Sequence, residues 1–231
     1  MKTMWLRIRA PFAAFRGFQA NSYRSTSPVM PPSTAYGLIL NLAGIEMRGT
    51  LENETTEIRA DLPILGIAVG LITSPDLGVM YQQLHGYLVG SSGEELRKKT
   101  HGAKYWITPI RREILIGYDG IVGIRDQDGA VLDRVTAGLA GTLDLPRYGL
   151  PFAGDNNLLI DRIDLLDLPP PAHWYTRIDP DDPPRRGSCR LTVGIDRIDN
   201  SRTSSWLAAP LTVPQTIPPP SAWVSTPSDP E

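Results

Sequence analysis

Cysteine is almost absent from this chain. Cys189 stands alone, which excludes an internal disulfide framework and a cysteine-based zinc site and fits a reducing cytoplasm. Histidine is scarce too: His85 and His173 have no carboxylate or cysteine at a metal-ligand spacing and are expected to be surface or structural residues. No long apolar run occurs, since residues 62–72 are interrupted by glycines and too short to cross a bilayer, and the opening Met1 to Trp5 lacks a hydrophobic signal core. No membrane role and no cofactor are expected. A P-loop, a dinucleotide fingerprint and a serine nucleophile elbow are all missing. There is also no excess of charge of one sign. With 23 Lys+Arg against 25 Asp+Glu the net charge is -2, which argues against a general polyanion binder.

The charges that are present are unevenly placed. Before Glu46 the chain carries Lys2, Arg7, Arg9, Arg16 and Arg24 and no acidic residue. The pattern returns between Arg97 and Arg112, where Arg97, Lys98, Lys99, Lys104, Arg111 and Arg112 occur without a carboxylate, while aspartates gather toward the C-terminus. Each run taken alone is also what a solvated face looks like. With 231 residues and 41% hydrophobic content, the chain can bury a real core.

Met4 to Arg9 alternates apolar and mostly basic positions with period two, predicting a first strand with Met4, Leu6 and Ile8 on the core and Trp5, Arg7 and Arg9 on the other face. Residues 11–30 form a loop rich in Phe, Arg, Gln, Asn and Tyr, too aromatic for a simple connector. Pro31-Pro32-Ser33-Thr34 predicts a helix start with Ser33 as N-cap, then Ala35, Leu38, Ile39 and Leu42 recur at helical spacing and Gly44 ends the helix. Gly37 inside it is expected to admit a close neighbour.

A β-rich middle follows. Residues 62–72 read as a strand, and residues 81–89 and 104–116 as the arms of a long hairpin whose tip, residues 90–103, is cationic. A short strand at 121–124, a turn at Asp126-Gln127-Asp128-Gly129 and a second helix over 132–139 complete this region. Strands are further expected at 158–166 and 189–198. Proline then dominates: Pro169-Pro170-Pro171, residues 180–184 and everything past Pro210 read as connectors and an extended tail, loose or draped on a partner. One βα start, further strands and no βαβα alternation predict an α+β fold of the ferredoxin-like or RRM type. The expected organisation is a domain over 1–168 with a hairpin at about 81–118, a β extension over 169–209 and a Pro-rich tail over 210–231.

Single-stranded RNA is held by cations along its phosphates and by aromatic faces on splayed bases, and the loop offers Arg16, Gln19, Asn21, Tyr23 and Arg24 for both tasks. The helix start adds Ser33, Thr34, Tyr36 and Gly37, where exposed backbone N–H groups can receive a phosphate, although an ordinary cap explains Ser33 equally well. The hairpin adds Arg97, Lys98, Lys99, His101 and Lys104. Arg111 and Arg112 lie on opposite faces of one arm, so one is expected to face RNA and the other to pair with Glu113. Phe152 is expected to plug the core while Gly154 and Asp155 shape a bend. The five tryptophans are expected to pack.

Two stretches resemble the Cas-five family of RNA-guided defence complexes. The first runs from Trp5-Leu6-Arg7-Ile8-Arg9-Ala10-Pro11 through Phe15-Arg16 to Pro31-Pro32-Ser33-Thr34-Ala35-Tyr36-Gly37-Leu38-Ile39-Leu40; the second is Arg147-Tyr148-Gly149-Leu150-Pro151-Phe152-Ala153-Gly154-Asp155-Asn156. Between them, Pro109-Ile110-Arg111-Arg112-Glu113 is similar to the descending arm of that family's hairpin, its thumb. The resemblance implies an RRM-like core that grips the 5′ handle of a CRISPR guide RNA (crRNA) in a type I, I-B-like surveillance complex. It also implies a backbone of Cas-seven-like subunits, a Cas-eight-like large subunit, and target DNA met through the complex. It implies no catalysis. Some relatives cut precursor RNA with a Tyr, Lys and His set, for which Tyr36, Lys99, His101 and Lys104 are the parts here, but the adjacent Lys-His pair is missing because Thr100 separates Lys99 from His101. A scaffold whose basic surfaces meet acidic partners is the remaining alternative.

Overall fold

In a computed structural model of the chain, the described residues are 1–17, 22–49, 58–88, 105–145, 147, 149–179, 181–183, 185–196 and 203–227, with backbone alone for 84–88 and 105–106. The strands are β1 (Lys2–Ala13), β2 (Phe15–Arg16), β3 (Tyr23–Arg24), β4 (Thr26–Ser27), β5 (Leu65–Thr73), β6 (Asp76–Leu88), β7 (Tyr105–Asp126), β8 (Arg162–Leu166), β9 (His173–Arg177), β10 (Cys189–Gly194), β11 (Ser204–Pro210) and β12 (Val224–Thr226). Two helices, α1 (Pro32–Leu42) and α2 (Ala130–Ala140), join them to make an α+β fold.

The main sheet has the order β10-β11-β9-β5-β7-β1-β8. Its centre is β7, hydrogen-bonded antiparallel to β1 on one side and to β5 on the other, with β8 antiparallel outside β1. Helix α1 connects β1 to β5 and α2 connects β7 to β8, so both crossovers bring their helices to one face of these four strands. Period two in β1 explains that face: Leu6 and Ile8 are fully buried in a cluster with Ile39, Leu42, Ile67, Ile124 and Val135 from the helices and neighbouring strands. Each such side chain removed from water stabilises the fold by roughly 1.5–3 kcal/mol.

The opposite face has its own smaller cluster. Trp5 sits 5.9 Å from Trp174 and 6.0 Å from Trp223, and the Arg125 guanidinium stacks 3.8 Å from the centre of the Trp223 ring. Farther along that face, Arg7 makes two bonds of 2.9 and 2.7 Å to Asp119, and Arg9 pairs with Asp164 at 3.0 Å. Trp5, Arg7 and Arg9 therefore do share a face, and its two arginines are neutralised by partners on β7 and β8.

Several expectations change. The hairpin arms are longer, because β7 does not stop before a separate strand at 121–124. It passes through Gly117, at φ 69°, and continues to Asp126. Flanking strands on both sides supply the hydrogen bonds that keep it extended. Helix α1 starts two residues early, with Pro31 as N-cap and no side-chain cap bond, so Ser33 lies in the first turn instead. Tandem prolines account for this: Pro32 at N1 has its φ already set for a helix and leaves one fewer N–H unpaired at the start, and the Pro31 carbonyl accepts from Thr34 and Ala35 at 2.9 Å each. Gly44 does end α1, at φ 65°, with Ile45 N donating to Leu40 O at 2.9 Å. A Cβ on Gly37 would meet only the Met47 sulfur at 3.8 Å, an ordinary contact, so this glycine admits no close neighbour. Helix α2 begins at Ala130, where the buried Asp126 carboxylate accepts from Val131 N at 2.9 Å.

The proline-rich end also differs. Residues 211–227 lie on the chain's own sheet: β12 pairs with β5, Ala172 and Gln215 exchange backbone bonds of 3.0 Å, and Trp174 Nε1 donates to Gln215 O at 2.8 Å.

Candidate nucleic-acid interface

After β1 ends, the chain turns back on itself. β2 pairs with β4, and Phe15 N donates to Thr26 Oγ1 at 2.9 Å, while the Phe15 ring packs edge-on against Tyr118 at 5.2 Å. Of the loop's rings, then, Phe15 goes inward while Phe12 is exposed. Between β2 and β4 the loop reaches out to the hairpin: β3 runs parallel to β7, Tyr23 opposite Arg111 and Arg24 opposite Arg112, and Arg111 N donates to Ser22 O at 2.7 Å.

Glu113 secures that contact. One carboxylate oxygen accepts the Tyr23 hydroxyl at 2.7 Å and the other accepts Thr26 N at 2.9 Å. Tyr23 is raised from its ordinary value chiefly because its hydroxyl donates to that carboxylate. Glu113 thus holds the loop and does not pair with either arginine. Arg112 pairs with Asp155 instead, both side chains being mostly buried at 14% and 15% exposure. The Asp155 turn is itself seated on the end of β1, with Ala14 N donating to Ala153 O at 3.0 Å and a Cβ on Gly154 falling 2.3 Å from Ala14 O. In that turn Ala153 is buried and Phe152 is 44% exposed, so Phe152 is not the plug. The turn seats Ala153 against the end of β1 and leaves the Phe152 ring outward.

Three separated segments meet here: residues 22–27, the Arg111–Glu113 stretch of β7, and the 151–155 turn. Arg16 and Arg111 are exposed and Arg24 is half-buried, none with an ion pair among the described residues. Strand alternation puts Arg111 on one face of the hairpin and Arg112 on the other. On the face of Arg111 the register sets Tyr23 on one side of it and Tyr81 of β6 on the other, the rings 41% and 62% exposed. Tyr81 was not legible as a site residue, although the alternation Leu77, Val79, Tyr81 on a strand was an available signal.

At the helix start, Ser33 and Thr34 are half-buried. Tyr36 lies inside the core, its hydroxyl donating to Pro63 O at 2.9 Å and pushed up to about 12 by burial. Gln19, Asn21, Arg97, Lys98, Lys99, His101 and Lys104 fall outside the described residues. His173 is structural, its Nδ1 2.7 Å from Leu211 O. Among the described residues no cluster of His, Cys, Asp or Glu could hold a metal ion, and no helix is long and apolar enough to cross a membrane.

Comparison with known proteins gives this geometry a context. The sequence model of the CRISPR-associated protein (Cas_Cas5) family matches residues 3–107, covering β1, the returning loop, α1 and the ascending arm of the hairpin. Over that stretch the chain resembles the Cas5 family. The whole chain has the fold of a chain in a solved structure described as "CRISPR RNA-guided surveillance complex", with a TM-score of 0.60 at 14% identity, covering 93% of this chain and 92% of that one. A second solved structure, "Crystal structure of Cas protein", gives a TM-score of 0.49 at 16% identity over 92% and 95% of the two chains. No curated protein matches the sequence.

Proposed function

We propose that this protein is a Cas5-family subunit that binds and caps the 5′ handle of a crRNA in a type I CRISPR surveillance complex, without catalysis of its own. In that role it joins a backbone of Cas-seven-like subunits to a Cas-eight-like large subunit and meets target DNA only through the assembly, in the cytoplasm. The observation that carries the reading is the parallel pairing of Tyr23–Arg24 with Arg111–Arg112. It joins the first acid-free stretch of the sequence to the second, so that positive charge separated by about ninety residues collects at the base of one hairpin. The connectivity β1-α1-β5-β7-α2-β8 with strand order β5-β7-β1-β8 supports a ferredoxin-like, RRM-type core for the grip. Of the four parts an endoribonuclease would draw on, Tyr36 has its hydroxyl inside the core on a backbone carbonyl, which favours binding over cutting.

The test is to purify the protein with its assembly, extract the nucleic acid and sequence it. Guides bearing one fixed 5′ end are expected, and a random RNA population would remove the assignment. Incubating the protein with unprocessed repeat RNA in metal-free buffer is expected to yield no defined cut. A cut lost in His101→Ala would make it the nuclease.

A further inference from the structure

Across the base of the hairpin, three side chains from three strands stand in one row on one face: Tyr23 of β3, Arg111 of β7 and Tyr81 of β6. Resting on the crRNA-binding reading above, we propose that this row is a stacking platform for unpaired bases of the guide, with Glu113 as the positioning residue that fixes the Tyr23 ring.

The geometry suits that ligand. Adjacent strands lie about 4.8 Å apart, so the two tyrosines rise from backbones roughly 9–10 Å apart with a guanidinium between them. Both rings are exposed and sequence-tolerant as stacking faces, and Arg111, with no ion pair among the described residues, can meet a phosphate or stack on a base itself. The carboxylate closest to the row is already engaged: both Glu113 oxygens accept bonds, from Tyr23 and from Thr26 N, which holds the ring at its place in the row. Leu77 and Val79 extend the exposed apolar surface along β6, which favours ribose and base contact. Arg111 within the row and the exposed Arg16 on the same loop favour a polyanion over a protein segment as occupant.

The test uses the assembled complex with the guide RNA it carries. Irradiation at 254 nm followed by peptide mapping is expected to cross-link peptides holding Tyr81 and Tyr23. Reassembly with Tyr81→Ala is expected to weaken guide binding by roughly 5- to 150-fold, with Tyr81→Phe near the unaltered protein. Because Tyr81 is exposed on an edge strand, its removal leaves the fold intact by circular dichroism. Glu113→Gln is expected to weaken the Tyr23 cross-link and spare that of Tyr81. If Tyr81→Ala binds guide normally while Arg97, Lys98 and Lys99 changed together to Ala lose it, the platform is wrong and the crRNA reading stands. If Tyr81→Ala blocks joining of a protein neighbour at unchanged guide affinity, the row is a protein-docking surface. If the unaltered assembly carries no guide, both fall.

Discussion

Arg112 and Asp155 show how one ion pair can organise a site, since it ties β7 to the 151–155 turn. Their side chains are largely shielded from water, so the ion pair is screened less than a surface pair, and deleting one partner strands the other charge. Arg112→Ala and Asp155→Asn are each expected to lower stability by roughly 1–3 kcal/mol, and the double variant to be far from additive; additive losses in urea titrations would mean that the pair is not coupled. Cys189 offers a second residue-level check. Burial pushes its thiol up to about 12, so the folded protein at pH 8 holds almost no thiolate. Its labelling by a disulfide reagent is expected to be slow and to accelerate with denaturant in step with unfolding. Fast labelling at zero denaturant would contradict this.

At the scale of elements, the two helices meet through a single missing side chain. A Cβ placed on Gly138 of α2 would fall 1.8 Å from Leu42 O at the end of α1, so Gly138→Ala must push the helices apart even though alanine is the better helix former. A loss of about 1–3 kcal/mol is expected in thermal or urea unfolding, against a gain if helix propensity decided. The long β7 has the comparable role in the sheet. Its residues 119–125 are wedged between β1 and β5, while its 105–116 half carries β6 and receives β3. One strand thereby connects the core to the hairpin, and the position of Arg111 follows from the register of the core.

For the whole molecule, the C-terminal segment closes the sheet face that the helices leave open. Removal of residues 219–231 takes away β12 and Trp223, uncovering Trp5 and leaving Arg125 without its ring. A destabilisation on the order of 3 kcal/mol is expected, seen as a lowered Tm; an unchanged Tm would show that this strap carries no weight. Alkaline behaviour is a second global property. Tyr36, Tyr118 and Tyr175 all have hydroxyls raised by burial, Tyr36 to about 12. Below pH 10 they are neutral folded and unfolded alike, so their full contribution is present. As pH rises from about 10 toward 12 the unfolded chain ionises first and stability falls. Urea midpoints are expected to drop between pH 9 and pH 11.5, together with tyrosinate absorbance appearing at unfolding. A flat midpoint would contradict the burial.

Sequence alone determined what depends on near neighbours. The alternation Met4 to Arg9 specified β1 and both its faces, and the Pro-Pro pair and Gly44 bounded α1 to within two residues. What needed the tertiary structure was every partner choice at a distance. Glu113 turned to Tyr23 and Thr26, and Arg112 to Asp155, because a side chain's nearest opposite charge in space is set by which strands share an edge, which no spacing along the chain encodes. The strands β9, β11 and β12 were illegible for the same reason: they are short and set among prolines that erase periodicity, and the backbone bonds that make them strands come from β5, from β10 and from one another. Tyr81 joined Tyr23 only through the register of two separate pairings with Arg111, a relation that exists once the sheet has formed.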